Sequence, residues 1–207
     1  KSVVFDHEYY ASKYPSVATE YGSSQAKLYE HFTKFGLMEG KQASPVFSVV
    51  HYLQNNSSVL SKCGNHYTAA MLHYYSTGRN TKGLKTAPAA DLGSKFEATI
   101  NHTSANINIG IASTATNTDN NAWNVQTVAA SDTDAKQIWV FTRNADGSYT
   151  LTNKAYPNAA MDTSGVAIAD ATNIATYTNT GVDDEHRHWY FFERTPGNYV
   201  ISPAHSS

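Results

Sequence analysis

Two periodicities divide the chain. In the first 84 residues apolar side chains recur at helical spacing: Leu28, Phe32 and Phe35 stand at i, i+4 and i+7. Asp6 precedes a segment carrying Tyr9 and Tyr10 and is placed to cap it. Pro15 suits the first turn of a second helical segment around Val17, and Ser23 or Ser24 can cap a third. Gly36 falls where a helix C-terminus favours left-handed geometry, and Gly78 plays the same part later. From Asp91 onward, short apolar or β-branched runs alternate with Asn, Asp, Gly and Thr clusters. The runs lie at 96–100, 107–111, 124–128, 138–142, 149–152, 174–177, 189–192 and 199–201. Strands with turn signals between them at such spacing predict an all-β barrel or sandwich. Asn144-Ala145-Asp146-Gly147-Ser148 predicts a hairpin turn, because Gly147 is free to take a positive φ.

Shifted by 42 residues, the first part matches itself without a gap. Ser2, Val4, Phe5, Tyr10, Ser16, Val17, Gly22, His31 and Gly36 recur as Ser44, Val46, Phe47, Tyr52, Ser58, Val59, Gly64, His73 and Gly78. A fixed period predicts stacked supersecondary units, residues 1–42 and 43–84, that bury their aromatic faces against each other. One unit alone would be marginal. The equivalence of His31 and His73 allows a shared metal or ligand; the expected role is capping a carbonyl or packing at the interface between units. His7, His51 and His66 lack the spacing of zinc sites. Cys63 occupies the repeat position of Tyr21, which predicts packing rather than reactivity.

Charge sharpens the division. Residues 1–86 hold nine Lys+Arg against five Asp+Glu, net +4; residues 87–207 hold six against twelve, net −6, giving −2 in all. Residues 79–90 contain Gly83 and Pro88 without apolar periodicity and read as a connector, with the linker proper at 85–90. Only 15% of residues are charged and no basic stripe is visible, so nucleic acid is not an expected partner. No run of 18 apolar residues exists, so no membrane insertion is expected. The single cysteine excludes a disulfide within the chain. The first residue is Lys1 rather than Met, which points to a processed chain or an excised fragment.

The pattern FDHEYYASKYPSV…LYEHFTKFGLMEGKQAS resembles a short helical repeat found beside binding or catalytic domains in secreted bacterial proteins. It covers residues 3–80 and says little about activity. A second internal repeat lies further on. Gln137-Ile138-Trp139, followed by Val140-Phe141, recurs as Arg187-His188-Trp189, followed by Tyr190-Phe191. Phe96, Tyr149 and Tyr199 each open an aromatic-x-apolar segment, at intervals of 53 and 50 residues. A period near 50 with Gln-x-Trp near the end of each unit resembles the ricin-type β-trefoil lectins. The opening Asp91-Leu92-Gly93-Ser94 and the stretch from Gln137 to Asn153 strengthen the likeness. The fold this implies is α + β and two-domain: a small all-α repeat domain at 1–84, then an all-β, incomplete ricin-type β-trefoil at 91–207 with about two lobes present. Tyr199-Val200-Ile201-Ser202-Pro203 starts a third lobe. A barrel short of a lobe would have exposed edges, so a fragment or self-association by strand exchange is expected.

The resemblance also implies where sugar would sit. Each lobe of such lectins uses an Asp to accept hydrogen bonds from sugar hydroxyls, an aromatic ring to stack on the sugar, and an Asn before the Gln-x-Trp motif. Ala160-Met161-Asp162-Thr163 places Asp162 at the acidic position, and Asn173-Ile174-Ala175-Thr176-Tyr177 places Tyr177 at the aromatic one. His186 falls at the Asn position and Arg187 at the Gln position; both are departures. His186 still offers a hydrogen bond, and Arg187 is expected to reach solvent or turn toward an acidic sugar. In the first lobe Asn108 is placed at the acidic position and Val128 at the aromatic one, so binding there is not expected; Trp123 is either a substitute ring or a packing residue. Trp139 and Trp189 are expected in the core, with the Gln amide saturating backbone groups of a turn. Specificity is expected to depend on the loop between Gly165 and Thr172. The expected function is carbohydrate binding, galactose or N-acetylgalactosamine type, by a non-catalytic module of a larger secreted or cell-surface bacterial protein. The alternative is a spacer or protein-interaction module with a vestigial sugar site. Glycans are the expected partners and no cofactor or metal is expected. An enzyme is disfavoured: glycoside hydrolysis needs two carboxylates flanking one site, and the acidic run Asp183-Asp184-Glu185 reads as a solvated loop.

Overall fold

The computed structural model describes residues 2–81, 83–102, 104–164, 172–180 and 185–204. The layout is α + β, helical in its N-terminal part and strand-rich beyond. Two compact units divide it. One comprises the chain up to Ala90 with Phe191–Ser202; the other comprises Asp91–Tyr190 and the segment from Pro203.

The first unit carries helices α1 (His7–Lys13), α2 (Pro15–Tyr21), α3 (Gln25–His31), α4 (Val49–Asn55), α5 (Ser57–Cys63) and α6 (Tyr67–Ser76). The starts of α1, α2 and α3 are those the sequence marks. Asp6 Oδ1 accepts from the amides of Glu8 and Tyr9 at 3.1 and 3.2 Å. Ser48, its repeat counterpart, accepts from His51 N, and Ser24 accepts from Lys27 N. Pro15 opens α2, where its missing N–H costs nothing. Phe5, Tyr10, Leu28 and Phe32 join Phe47, Tyr52, Val59 and Tyr74 in one apolar cluster. Phe5 stacks on Phe32 at 5.5 Å between ring centres, and Phe47 stacks on Tyr74 at the equivalent place at 4.2 Å. The backbone after each repeat folds back on its start: Asp6 N donates to Ala43 O, and Ser48 N to Thr86 O. Arg194, on the Phe191–Ser202 segment of this unit, pairs with Asp6 and Glu8 at the head of α1.

The two repeat-equivalent histidines have a role other than capping a carbonyl. Tyr10 Oη lies 3.0 Å from His31 Nδ1, and Tyr52 Oη lies 2.9 Å from His73 Nδ1. Each bond closes inside its own repeat, which separates the histidines rather than pairing them around a ligand. Gly36 and Gly78 also differ from expectation: neither takes a positive φ. Gly36 ends a π-helical turn, Phe32–Gly36, that prolongs α3, and Gly40 supplies the left-handed residue, at φ 72°. The need for glycine is steric. A Cβ at Gly36 would stand 2.2 Å from Tyr10 Oη, and one at Gly78 would stand 2.0 Å from Tyr52 Oη.

The second unit repeats one pairing scheme. In the first lobe β1 (Lys95–Thr99) pairs with β4 (Ile138–Arg143), and β2 (Ile107–Ile111) pairs with β3 (Val125–Ala129). In the second, β5 (Tyr149–Asn153) pairs with β8 (His188–Thr195), and β6 (Ala159–Thr163) pairs with β7 (Ile174–Thr178). The β4–β5 hairpin joins the lobes through the turn at Gly147, whose φ is 88°. Each of these pairings is antiparallel. Trp139, Tyr149, Leu151 and Trp189 fill the centre. Each indole keeps its N–H satisfied on the inner hairpin of its own lobe: Trp139 Nε1 donates to Ile109 O at 2.9 Å, and Trp189 Nε1 to Met161 O at 3.0 Å. Both tryptophans are therefore core, as the sequence implied. After Asn198–Pro203 (β9), which pairs with β8, the described chain ends at Ala204.

Candidate functional site

The β6–β7 hairpin sets the geometry. Asp162 stands opposite Ala175, and Ala160 opposite Tyr177. Opposed residues of an antiparallel pair share a face, so Asp162 and Tyr177 are diagonal neighbours on one side of the hairpin. Tyr177 keeps 42% of its surface exposed, enough to offer a ring face to a ligand. Arg187 lies in a 3₁₀ turn, Glu185–Arg187, that leads into β8. Its Nε donates to Asp162 Oδ2 at 3.2 Å, and its Nη1 donates to Thr178 O at 2.8 Å. The guanidinium carbon sits 5.8 Å from the centre of the Tyr177 ring. Asp162, Tyr177 and Arg187 thus come together around one hairpin. His186 precedes Arg187 in the same turn and is half-buried.

Arg187 does not reach out to solvent as expected. Its side chain is 9% exposed and bound inward. The reason is visible in the first lobe, where Gln137 Nε2 donates to Ala129 O at 3.1 Å, the last residue of β3. Thr178 is the last residue of β7, so Arg187 takes over the backbone bond that Gln137 makes. Gln137 Oε1 also accepts from Ser131 N and from Asn108 Nδ2, both at 2.9 Å. The amide saturates the turn after β3, as the sequence implied.

The first lobe needs a correction of register. Because the indole bonds mark Ile109 and Met161 as equivalent, Gly110 stands where Asp162 does, and Asn108 stands where Ala160 does. Asn108 is 1% exposed and held by Gln137, Ser131 and Asn101, so it is a core residue. A Cβ on Gly110 would already lie 3.2 Å from Gln137 Cγ. Spacing alone carries no signal for this register, since Ile109 lies 30 residues before Trp139 and Met161 lies 28 before Trp189. Val128 does match Tyr177, since each lies opposite the residue two before the Gly110 or Asp162 position. Trp123 is no substitute ring: it is 5% exposed, stacked on Tyr156 at 4.2 Å, and its amide donates to Thr176 Oγ1. At the positions of Asp162 and Tyr177 the first lobe therefore offers neither carboxylate nor ring.

Residues 165–171, where specificity was expected to lie, are outside the described residues, as are Asp183 and Asp184; Glu185 opens the 3₁₀ turn. Among the described residues no three His, Cys, Asp or Glu side chains converge as a metal site would require, and no helix is long and apolar enough to cross a membrane.

Residues 135–207 match the family described as ricin-type beta-trefoil lectin domain-like. No curated protein matches the chain. Among solved structures, one titled PSL1a-E64 complex is 18% identical over 56% of this chain and 38% of its own, with a TM-score of 0.44. A Polyporus squamosus lectin, solved bound to the epitope Neu5Aca2-6Galb1-4GlcNAc, is 18% identical over 56% of this chain and 39% of its own, also at 0.44. The designed three-fold symmetric protein ThreeFoil is 20% identical over 48% of this chain and 66% of its own, at 0.42. The chain spans less than two thirds of the length of each.

Proposed function

We propose that the ricin-type β-trefoil lectin-like domain over residues 135–207 binds carbohydrate, and that the saccharide sits on Tyr177 beside Asp162. The observation that carries this reading is the shared face of the β6–β7 hairpin, with an exposed ring and a carboxylate as diagonal neighbours. A pyranose has a C–H-rich face and a hydroxyl rim. Stacking on the ring removes the first from water, and a fixed carboxylate orients the second. Asp162 Oδ2 is tied to Arg187, so Arg187 fixes the carboxylate beside the ring. His186 supplies a further hydrogen bond from the same turn. Galactose and N-acetylgalactosamine are the ligands of choice. The chain acts as a non-catalytic module of a larger secreted bacterial protein, and gains avidity from copies on one surface.

A single shallow site of this kind binds with Kd on the order of 0.1–10 mM. Titration of galactose and N-acetylgalactosamine by NMR tests the assignment. Tyr177→Ala is expected to weaken binding at least tenfold, with the fold intact by circular dichroism. Unchanged titration in Tyr177→Ala and Asp162→Asn would place the ligand elsewhere. The ion pair on Asp162 favours a second reading, a spacer or protein-interaction module with a vestigial sugar site. Absence of binding to any glycan, with stable capture of a protein partner, would select it.

A further inference from the structure

The outer edge of β7 is covered by the first lobe. Thr176 N donates to Trp123 O at 2.8 Å, Trp123 N donates to Thr176 Oγ1 at 3.0 Å, and Asn121 Nδ2 donates to Thr178 Oγ1 at 3.3 Å. These bonds seat Asn124 opposite Ala175 in an antiparallel bridge, and Ala175 stands opposite Asp162. Opposed residues share a face, so Asn124, Ala175 and Asp162 form one row across three strands. Tyr177 lies on the same face, two residues beyond Ala175 along β7. Asn173, two residues before Ala175, is exposed, and its Nδ2 donates to Asn124 Oδ1 at 2.9 Å. The middle of the row rises no higher than a methyl group. It is a low floor bounded by a carboxylate, a ring and a pair of amides, and one of those amides comes from the other lobe.

The amide pair is half used. Among the described residues, Asn124 Nδ2 and Asn173 Oδ1 bond to nothing. Exchanging oxygen and nitrogen in both amides would change which residue donates, and would still leave one donor and one acceptor. The open atoms lie at opposite ends of the pair, one on each residue. A ligand group that answers both needs a donor and an acceptor held apart in a fixed geometry. An acetamido group has this, because its N–H and C=O point to opposite sides of a rigid plane. A hydroxyl has a single oxygen and reaches one of the two. The acetamido methyl group also suits the Ala175 floor, where it leaves water for another methyl.

We propose that Asn124 and Asn173 are specificity residues of the Tyr177 face, and that they select a sugar bearing a 2-acetamido group over the parent hexose. The inference rests on the reading of that face as a sugar site. Tyr177 and Asp162 act alike on both sugars. The amide pair acts on the substituent alone, and it exists only where the two lobes meet. Two added hydrogen bonds at a partly exposed site support a preference of about tenfold.

The test is NMR titration with two sugar pairs, N-acetylgalactosamine against galactose and N-acetylglucosamine against glucose. In whichever pair binds, the acetamido sugar is expected to be about tenfold tighter. Asn124→Ala is expected to bring the two members of that pair to nearly equal affinity while the hexose binds as before. Asn173→Ala is expected to do the same, and its exposed position gives a second variant should Asn124→Ala disturb the fold. Saturation transfer to the acetyl methyl group should be strong in the unsubstituted protein and fall in both variants. Tyr177→Ala should weaken both members alike and leave their ratio unchanged. Equal affinity within the binding pair, or a preference that survives both asparagine variants, overturns the proposal and leaves the Tyr177 face standing. Failure of all four sugars to bind would overturn the reading of that face itself, and this proposal with it.

Discussion

The helical repeats and the trefoil lobes are both duplications, and they have aged differently. In the repeats the Tyr–His–Gly device is kept to the atom. The Tyr10–His31 and Tyr52–His73 bonds differ by 0.1 Å, and both glycines make room for the same phenol oxygen. In the lobes the indole bonds are kept, at 2.9 and 3.0 Å, while the hairpin around them has changed: Gly110, Gln137 and Val128 against Asp162, Arg187 and Tyr177. Contacts that close a repeat on itself tolerate little change, because each is wholly or partly buried and the glycine facing it leaves no room for a Cβ. Positions at the mouth of a hairpin are free to diverge, and divergence confined to them is where a ligand-binding difference between lobes would be written.

The largest effect is expected where the duplication is strictest. Gly36→Ala puts a methyl group into Tyr10 Oη in a packed core. Overpacking typically costs about 1–3 kcal/mol, and losing the Tyr–His bond adds about 1 kcal/mol, so a loss near 3 kcal/mol is expected in urea unfolding. Gly78→Ala should behave alike. Adding Tyr10→Phe to Gly36→Ala removes the clashing oxygen and should recover part of the loss. A near-neutral Gly36→Ala would show that the phenol moves aside freely and that the shared glycine has another cause.

A smaller effect is expected at Arg187, where the lobes differ. Arg187→Gln installs the side chain of Gln137, which can still reach the carbonyl at the end of β7 but abandons the partly buried Asp162. Removing one partner of a buried pair costs several kcal/mol at most. Retention of the backbone bond and 15% exposure of the Asp162 side chain reduce this to about 2 kcal/mol. Asp162→Asn together with Arg187→Gln should recover most of it, since two neutral amides need no counter-charge. If the double variant is as unstable as the single one, the ion pair is not what the second lobe gained.

Much of this was legible in the chain, and the failures have physical causes. Helix starts could be read because capping is local: Asp6, Ser24 and Pro15 act within one turn. The tryptophan core could be read because the repeat places it. The role of Gly36 could not, because its constraint comes from Tyr10, far off in sequence, whereas the expected left-handed turn fell to Gly40. Asn108 was misplaced by two residues because Asn106-Ile107-Asn108-Ile109 alternates polar and apolar residues in a way that fits either register. Only the Trp139 bond to Ile109 fixes it. Arg187 was expected to reach solvent or turn toward an acidic sugar; the backbone carbonyl of Thr178 and the carboxylate of Asp162 together hold it inward.

The smallest effect concerns the two turns that leave the Trp strands. Gly147 and Gly197, 50 residues apart, both adopt positive φ, at 88° and 76°, but Asp146 precedes one and Pro196 the other. Burial acts to raise the Asp146 pKa, and is outweighed by hydrogen bonds from the Ser148 hydroxyl and amide, by the Tyr190 hydroxyl and by the charge of His188, so the carboxyl sits below its ordinary value. A folded-state pKa below the unfolded one adds stability that is present above the unfolded value of about 3.9 and is lost as pH falls through the folded value. The group is largely open to solvent, so screening holds the gain to about 1 kcal/mol or less. Asp146→Asn should therefore be slightly less stable than the unsubstituted protein near neutrality, and the gap should close below pH 4 in urea titrations run across that range. A gap that stays constant from pH 7 to pH 3 would assign the cost to altered packing of the turn, and would mean that the carboxylate charge does not distinguish this hairpin from its counterpart at Gly197.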